Sequence, residues 1–486
     1  MRSSLISVCF VGALALSATL SAEEKVDLKF SFAVPPPAGF TAVKADENYN
    51  VNRGYGFDLG SKVQFVHRFG TDYATSGFVT GQSGQPFFFS AKLAPGAYRV
   101  TVTLGDANAE AVTTVKSETR RLMLESVRSP AGHTKKSTFL VHLRVPQIPG
   151  GGMVALKSRE KDLYQLFLYW QDNQPQTFME LDWDEKLTLE FSDAHPALTA
   201  IEITNAEKPV TVYLVGDSTM TDQMMEPWGA WGMHLPRWFK PPVLIANYAE
   251  SGESARSFIG ERRWSKLMSE IHAGDFVLIQ FGINDRGTPL DQFKGYFNQF
   301  IKDTRDHGAT PVLVTSQNLR ELDANGKGMQ TLGGYPNAMK EVAKEQNVTL
   351  LDLNAMSMSL YEAIGAEKLP KAFVDGTHQN VYGSYELTKC VVQAMVDAKL
   401  PFVAGNLVDD WKPFDTAHLD ALEDFKLPPD PQRDPKVAGG PGAPTGSVPI
   451  AGRPSEFALP PLAPAPARTQ SAPPAPTTPP ATPAPK

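Results

Sequence analysis

Four short segments of the chain carry residue types that together could perform acyl transfer. They are VGDST at residues 215–219, NYAESG at 247–252, FGIND at 281–285 and DGTH at 375–378. In that order they supply a serine, a glycine, an asparagine and an aspartate–histidine pair. A serine nucleophile needs a base, the base needs an orienting carboxylate, and the oxyanion of the reaction needs N–H donors. The set therefore predicts a serine esterase, although each segment alone is also typical of an ordinary turn.

Ser218 is the predicted nucleophile, and its base must be found among nine histidines. Two histidines follow an aspartate by three residues: His378 after Asp375, and His418 after Asp415. We expect His378 to be the base, with Asp375 fixing its tautomer. The second pair lies beyond the last expected sheet elements. We therefore interpret Asp415 as a helix cap and keep His418 as a rival base.

Three N–H groups are expected to stabilise the oxyanion that forms when an ester carbonyl is attacked. They are the backbone amides of Ser218 and Gly252 and the side-chain amide of Asn284. Gly252 suits this role because a residue without a Cβ lets its backbone N–H approach a substrate closely. No Cys/His cluster has the spacing of metal ligands, so neither a metal nor a cofactor is expected.

Hydrophobic patterns place these segments on a parallel α/β sheet. Beyond residue 209, apolar runs of strand length alternate with stretches of helical period. The expected strands are 210–215, 243–247, 276–281, 311–315 and 350–353, and helical stretches include 258–272, 290–306 and 337–346. Continuously apolar strands indicate a sheet that is covered by helices on both faces. The first three segments follow the first three strands, and open α/β sheets bind ligands at such carboxyl ends.

The composition of the chain predicts three further regions around this one. Residues 1–22 have a basic start, a short apolar run and small residues, which predicts a signal peptide and a secreted or periplasmic protein. Residues 23–206 alternate apolar and polar positions between turn clusters, which predicts a β-sandwich. After the catalytic region at 207–405, the extension at 406–486 becomes rich in proline and alanine. We expect it to be disordered from about residue 426.

Overall composition narrows the range of partners. The chain has 486 residues, of which 42% are hydrophobic, and a formal net charge of −7. There is no overall basic character to favour nucleic acid, and the N-terminal apolar run is short for a membrane span, so neither partner is expected. Without the signal peptide, Cys390 is the only cysteine, and we expect it to be a small core residue. The oligomeric state stays open.

Taken together, the segments make residues 209–401 resemble the SGNH, or GDSL-type, hydrolases. GDSTMT at 216–221, GESARS at 252–257 and DGTH at 375–378 are most similar to the rhamnogalacturonan acetylesterase branch. The resemblance implies a flavodoxin-like three-layer α/β/α fold. It also implies that the chain removes acetyl groups from a pectic polysaccharide through an acetyl-enzyme intermediate.

The same resemblance implies a role for each candidate residue. Ser218 would be the nucleophile, His378 the base and Asp375 the partner of the base. Gly252 and Asn284 would join the Ser218 amide as oxyanion donors. The expected partner is then an acetylated polysaccharide or oligosaccharide.

Two positions depart from the pattern of that branch. Glu253 stands where arginine is usual after the glycine, and Ile283 stands where histidine often precedes the asparagine. Neither supplies a catalytic atom, but both are expected near the substrate cleft, so the acetylated sugar stays open. Acetylxylan or another carbohydrate or lipid ester is an alternative substrate. A polysaccharide-binding protein without catalysis is an alternative function.

The region before the catalytic segments resembles a galactose-binding-like β-sandwich. The similarity lies in LAPGAYRVTV at 93–102, ETRRL at 118–122 and WD at 183–184. Two roles are open for this sandwich: it binds carbohydrate, or it supports and lines the catalytic cleft.

Overall fold

The structure is a computed structural model of the chain, and it describes residues 25–68, 76–157, 160, 169–171, 174–176 and 181–430. The predicted signal peptide, and the extension beyond residue 430, lie outside the described residues. The described chain falls into two compact units. The smaller unit contains a two-stranded hairpin, β11 (Tyr169–Gln171) and β12 (Gln174–Gln176). All other elements belong to the larger unit.

Two β-sheets make up the N-terminal part of the larger unit. Their strands are β1 (Asp27–Ser31), β2 (Thr41–Ala42), β3 (Tyr55–Asp58), β4 (Val63–His67), β5 (Gly77–Gly81), β6 (Phe87–Lys92), β7 (Gly96–Leu104), β8 (Ala111–Ser117), β9 (Arg121–Ser129), β10 (Lys135–Leu143), β13 (Lys186–His195) and β14 (Leu198–Asn205). One sheet has the order β10–β7–β14–β1–β2, with β5 also paired to β14 and β4 to β5, and the other has the order β3–β6–β13–β8–β9. Pairing is antiparallel except between β1 and β2.

The core of this region lies between the two sheets. Alternate residues of β7, such as Val100 and Val102, pack with Ile201 and Ile203 of β14. The facing sheet contributes Phe89 and its neighbours to the same cluster. Because successive side chains of a strand point to opposite faces, this alternation closes one apolar core between two sheets. The arrangement confirms the predicted β-sandwich.

The following region contains a five-stranded parallel sheet and its helices. The strands are β15 (Val210–Val215), β16 (Val243–Asn247), β17 (Phe276–Ile279), β18 (Thr310–Val314) and β19 (Thr349–Leu351), in the order β16–β15–β17–β18–β19. The helices are α1 (Trp231–His234), α2 (Ala255–Gly260), α3 (Arg263–Met268), α4 (Leu290–Asp306), α5 (Tyr335–Glu345), α6 (Leu353–Ile364) and α7 (Val381–Asp397). This strand order is that of a flavodoxin-like sheet, which confirms the predicted fold class.

Each face of the parallel sheet is covered by its own layer of helices. On one face, Leu214 of β15 shares a core cluster with residues of α1, α6 and α7. On the other face, Tyr213 and Val215 share a cluster with residues of α2, α3, α4 and α5. Burial on both faces explains why the strands are continuously apolar. Helix α4 buries Phe293, Phe297 and their neighbours along one stripe, as an amphipathic helix does.

The helical stretch expected at residues 258–272 is interrupted in the structure. Helix α2 ends at Gly260 and helix α3 begins at Arg263. Arg262 between them has a left-handed backbone, with φ of 65°. The carbonyl of Glu261 accepts a hydrogen bond from the N–H of Ala155, 2.9 Å away. The break therefore lies where the segment that joins β10 to β13 is hydrogen-bonded to the region of the parallel sheet.

Residues 406–430 lie on the side of the sheet that carries α7. Leu407, Trp411, Phe425 and Leu427 are partly buried against the core cluster of that face. Cys390 of α7 is buried in the same cluster and is a free cysteine, as expected. Within the described part of the chain, no helix combines the length and the apolar character needed to cross a membrane.

Candidate active site

Ser218 lies in the loop that follows β15, at the carboxyl end of the parallel sheet. The loop passes close to neighbouring chain, because a Cβ on Gly216 would lie 2.9 Å from the carbonyl oxygen of Gln280. The N–H of Glu250 donates to the carbonyl of Gly216 over 3.1 Å, which joins the first and second segments. Ser218 itself is largely buried, at 6% exposure.

A chain of two hydrogen bonds links the candidate nucleophile, base and carboxylate. Oγ of Ser218 is 2.8 Å from Nε2 of His378. Nδ1 of the same ring is 2.9 Å from Oδ2 of Asp375. The other oxygen of Asp375 accepts the backbone N–H groups of Thr377 and His378, both at 2.7 Å. The carboxylate is thus held by its own loop and can fix the imidazole with Nε2 facing the serine.

The second aspartate–histidine pair has similar internal geometry in a different setting. Nδ1 of His418 is 2.9 Å from Asp415, and both side chains are strongly exposed. Ser218 is hydrogen-bonded to His378 instead. The loop geometry of a DxxH sequence is therefore not specific to a catalytic role, and the contact with serine distinguishes the two pairs.

The three expected oxyanion donors come from three loops, and the loops that carry Gly252 and Asn284 meet at Glu253. Gly252 has φ of +80°, a left-handed conformation that favours glycine. Nδ2 of Asn284 donates to the carbonyl of Glu253 over 2.9 Å, and a carboxamide has a second N–H available for a ligand. Among the described residues, the backbone N–H groups of Ser218 and Gly252 have no hydrogen-bond partner. The role of these three groups stays a prediction.

Two buried carboxyl groups lie beneath this site. Asp217 is fully buried, and its Oδ1 accepts hydrogen bonds from the backbone and hydroxyl of Thr219. Asp285 is 1% exposed, and its Oδ1 accepts the N–H of Ala255 at the start of α2. Burial raises the pKa of Asp217, and burial raises the pKa of Asp285 to about 7, with the charge of Asp217 adding to the effect.

Several residues that contact this machinery are not evident in the sequence. Nε2 of Gln223 donates to the carbonyl of Ser218 over 2.6 Å. The ring of Trp228 lies edge-on to that of His378, with centroids 5.1 Å apart. Nε2 of Gln317 donates to the carbonyl of Thr377 in the histidine loop. A lone glutamine or tryptophan in a loop gives no signal of such a contact.

The turn between β8 and β9 of the sandwich packs against the loop that follows Ser218. The guanidinium of Arg120 donates to the carbonyls of Gln223 and Trp228, at 3.0 and 2.8 Å. Arg121 donates to Asp222 of the same loop over 2.7 Å. The resemblance left open a supporting role for the sandwich, and these contacts agree with it.

The composition of the site argues for acid–base and nucleophilic chemistry by side chains. Across the described ranges, no group of three or more His, Cys, Asp or Glu residues could hold a metal ion. The polar groups hydrogen-bonded in series with Ser218 are the imidazole of His378 and the carboxylate of Asp375. Such a set can transfer an acyl group to the serine and then to water.

Comparison with known proteins matches the two regions separately. Residues 214–384 match the GDSL-like lipase/acylhydrolase family, and residues 28–123 match the beta-agarase/YXIM esterase-like, galactose-binding domain-like family. The chain is 38% identical to the rhamnogalacturonan acetylesterase RhgT of Bacillus subtilis over 216 residues, which are 40% of this chain and 93% of that protein. This chain belongs to the GDSL-like lipase/acylhydrolase family. It is a carboxylic ester hydrolase of the rhamnogalacturonan acetylesterase-like type.

Other relatives of this GDSL-family hydrolase extend over both regions. The uncharacterized esterase YxiM of Bacillus subtilis is 25% identical over 410 residues, which are 80% of this chain and 95% of that protein. The crystal structure of YXIM from the same organism has a TM-score of 0.41 and 22% identity, and the match covers 77% of this chain and 99% of that one. The two family matches confirm the combination of galactose-binding-like sandwich and GDSL hydrolase that the sequence predicts.

Proposed function

We propose that this GDSL-family hydrolase removes O-acetyl groups from rhamnogalacturonan through an acetyl-enzyme intermediate. The observation that carries the proposal is the hydrogen-bonded series Ser218–His378–Asp375, with distances of 2.8 and 2.9 Å. The choice of substrate is supported by the similarity to RhgT, which is named a rhamnogalacturonan acetylesterase.

In the first half of the proposed reaction, His378 accepts the hydroxyl proton of Ser218 through Nε2. Oγ then bonds to the acetyl carbon, and the carbonyl oxygen becomes an oxyanion. The amides of Ser218, Gly252 and Asn284 donate to that oxygen. The C–O bond to the sugar breaks, the sugar oxygen takes the proton from His378, and the acetyl group stays on Ser218.

In the second half, a water molecule attacks the acetyl carbon while His378 takes one of its protons. Collapse of the new oxyanion releases acetate, and Oγ of Ser218 regains its proton from His378. Asp375 stabilises the imidazolium that exists in both halves and does not itself accept the proton.

The test is acetate release by the wild type and by Ser218→Ala, measured on acetylated rhamnogalacturonan, acetylxylan and a long-chain ester. We expect the wild type to prefer rhamnogalacturonan and Ser218→Ala to lose release by a factor of at least about 10³, with an unchanged circular dichroism spectrum. His418→Ala, at the second DxxH sequence, is the matched control and should keep full activity. Full activity of Ser218→Ala would exclude the mechanism. Preference of the wild type for another ester would exclude rhamnogalacturonan as the preferred substrate. Binding without acetate release would favour a polysaccharide-binding protein.

We propose also that the enzyme acts outside the cytoplasm, through the signal peptide predicted at residues 1–22. The support is the sequence pattern of a basic start, an apolar run and small residues. Mass spectrometry of the exported protein should give an N-terminus close to Ser21 or Ala22. A mature protein that still begins at Met1 would contradict export by this route.

A further inference from the structure

We propose that Lys157, in the segment that joins β10 to β13 of the sandwich, positions the oxyanion hole, an inference that rests on the proposed function. Lys157 follows β10 and precedes the parallel sheet, so it is outside the segment that matches the GDSL family at residues 214–384. It is not part of the catalytic series. Its ammonium nevertheless contacts the loop that carries Gly252.

The ammonium group of Lys157 is bound to the residues on both sides of Gly252. Nζ donates to the carbonyl of Ser251 over 2.5 Å and forms an ion pair with the carboxylate of Glu253. A Cβ built on Gly252 would lie 3.6 Å from the same nitrogen. Two contacts that bracket one residue restrict the orientation of its peptide groups. Lys157 therefore fixes the direction in which the N–H of Gly252 points.

The second donor of the oxyanion hole is attached to the same point. Glu253 is fully buried, and its carbonyl oxygen accepts Nδ2 of Asn284 over 2.9 Å. Its carboxylate also accepts the hydroxyl of Ser257 over 2.6 Å. A displacement of Glu253 would therefore move the amide of Asn284 together with that of Gly252. Holding Glu253 in place preorganises two of the three proposed donors.

Among the described residues, Arg263 is the other cation that pairs with the carboxylate of Glu253, and it is less available. Arg263 approaches the carboxylate of Glu253 only to 3.8 Å. Its guanidinium already makes a bidentate pair with Glu160 at 2.9 and 2.5 Å, and its Nε donates to Glu261 over 3.0 Å. A buried carboxylate needs a close partner of opposite charge. Lys157 supplies that partner. The related branch usually has arginine at the position of Glu253.

A direct contact between Lys157 and an anionic substrate is the competing explanation, and it predicts different kinetics. Its side chain is 24% exposed, and rhamnogalacturonan contains uronate carboxylates. Loss of a substrate contact would raise KM for the anionic polymer alone. Loss of a positioned oxyanion hole would instead lower kcat on every acetyl ester, because only the transition state develops the oxyanion.

The experiment compares Lys157→Met and Lys157→Arg on neutral p-nitrophenyl acetate and on acetylated rhamnogalacturonan. We expect Lys157→Met to lower kcat about tenfold or more on both substrates and to keep KM within about twofold of the wild-type value. The reason is that the oxyanion donors are still present but misplaced, and misplaced donors lower turnover. Lys157→Arg keeps the charge and should recover most of kcat. Lys29→Met, which removes a partly exposed lysine of the sandwich paired with Asp27, is the control and should match the wild type.

A double-mutant cycle checks that the effect passes through the oxyanion hole. Added to Asn284→Ala, Lys157→Met should lower kcat by a smaller factor than it does alone. If Lys157→Met does not fold, the pair Lys157→Met with Glu253→Gln removes the unpaired buried charge, and the loss of kcat should remain.

Unchanged kcat, or a KM effect confined to rhamnogalacturonan, would overturn the proposal. The neutral ester separates this outcome from failure of the proposed substrate, and Ser218→Ala separates it from failure of the mechanism.

Discussion

At Asp375, burial and hydrogen bonding act on the carboxyl group in opposite directions. Burial raises its pKa. The hydrogen bond from His378, the charge of that ring and two backbone N–H groups together lower the pKa by more, so the net pKa is below the usual value. The carboxylate therefore stays ionised through neutral pH. An ionised Asp375 keeps the proton of His378 on Nδ1, which leaves Nε2 to accept from Ser218.

Asp375→Asn tests this assignment at the level of one atom. An amide keeps the size of the side chain but favours the wrong imidazole tautomer, so we expect kcat to fall by about 10³ to 10⁴ while the melting temperature changes little. Acetate release at pH 7 measures the effect. Asp415→Asn makes the same change in the exposed DxxH sequence and should leave kcat unaltered. Comparable activity in the two variants would contradict the proposed role of Asp375.

Among structural elements, the short β8–β9 turn connects the sandwich to the loop that follows Ser218. Glu118 and Arg120 in this turn have positive φ angles of 51° and 63°, which turn the chain tightly between the strands. Arg121 at its end is 1% exposed and pairs with Asp182 and Asp222 at 3.0 and 2.7 Å. Since Asp222 is in the loop after Ser218, the sandwich and the nucleophile loop share a buried ion cluster.

Arg121→Ala should destabilise the protein strongly. Removing one partner of a buried ion pair leaves an unpaired buried charge, so we expect the free energy of unfolding to fall by about 3–5 kcal/mol. Arg128→Ala on the same strand is the control. Its pair with Glu110 spans 3.1 Å but has side-chain exposures of 64% and 52%, so a change of at most about 1 kcal/mol is expected. Urea unfolding monitored by tryptophan fluorescence measures both. Equal losses would show that the cluster does not hold the two regions together.

The elements differ in how far their sequence determines them. The strands at Val210–Val215 and Val243–Asn247 are predictable to the residue, because burial on both faces makes each run continuously apolar. The order of the four catalytic segments likewise predicts that Ser218 and His378 meet. The contacts of Arg121 and Lys157 are not predictable, because they join residues about 100 positions apart and a lone basic residue is usually solvated. The break at Arg262 depends on a similar distant contact.

For the molecule as a whole, three carboxyl groups whose pKa is raised by burial make stability depend on pH. Burial raises the pKa of Asp184, Asp285 and Glu386 to about 7 in each case. In the unfolded chain such groups titrate near 4. The folded state therefore binds more protons between about pH 4 and pH 7. Their contribution to stability is present below pH 4 and is lost as the pH rises through 7.

Asp285→Asn isolates one of these groups. The amide stays neutral at every pH and can still accept the N–H of Ala255, so the variant should gain stability relative to the wild type as the pH rises from 5 to 8. A pKa raised from 3.8 to about 7 corresponds to an upper limit of about 4 kcal/mol. Melting temperatures across this pH range measure the difference. Asp46→Asn, at an exposed site, should show no such trend, and a pH-independent difference for Asp285→Asn would contradict the assignment.

The docking of Asp430 determines where the polypeptide can be shortened. Its carboxylate pairs with Lys116 over 2.9 Å and with Arg120, and both of these basic side chains are almost fully buried in the sandwich. A gene truncated after residue 405 would encode every catalytic residue yet leave these two cations without that anion. Arg120 also donates to the loop that follows Ser218, so we expect this truncation to perturb the active site as well. Designs that remove the proline-rich tail should therefore place the stop codon after Asp430.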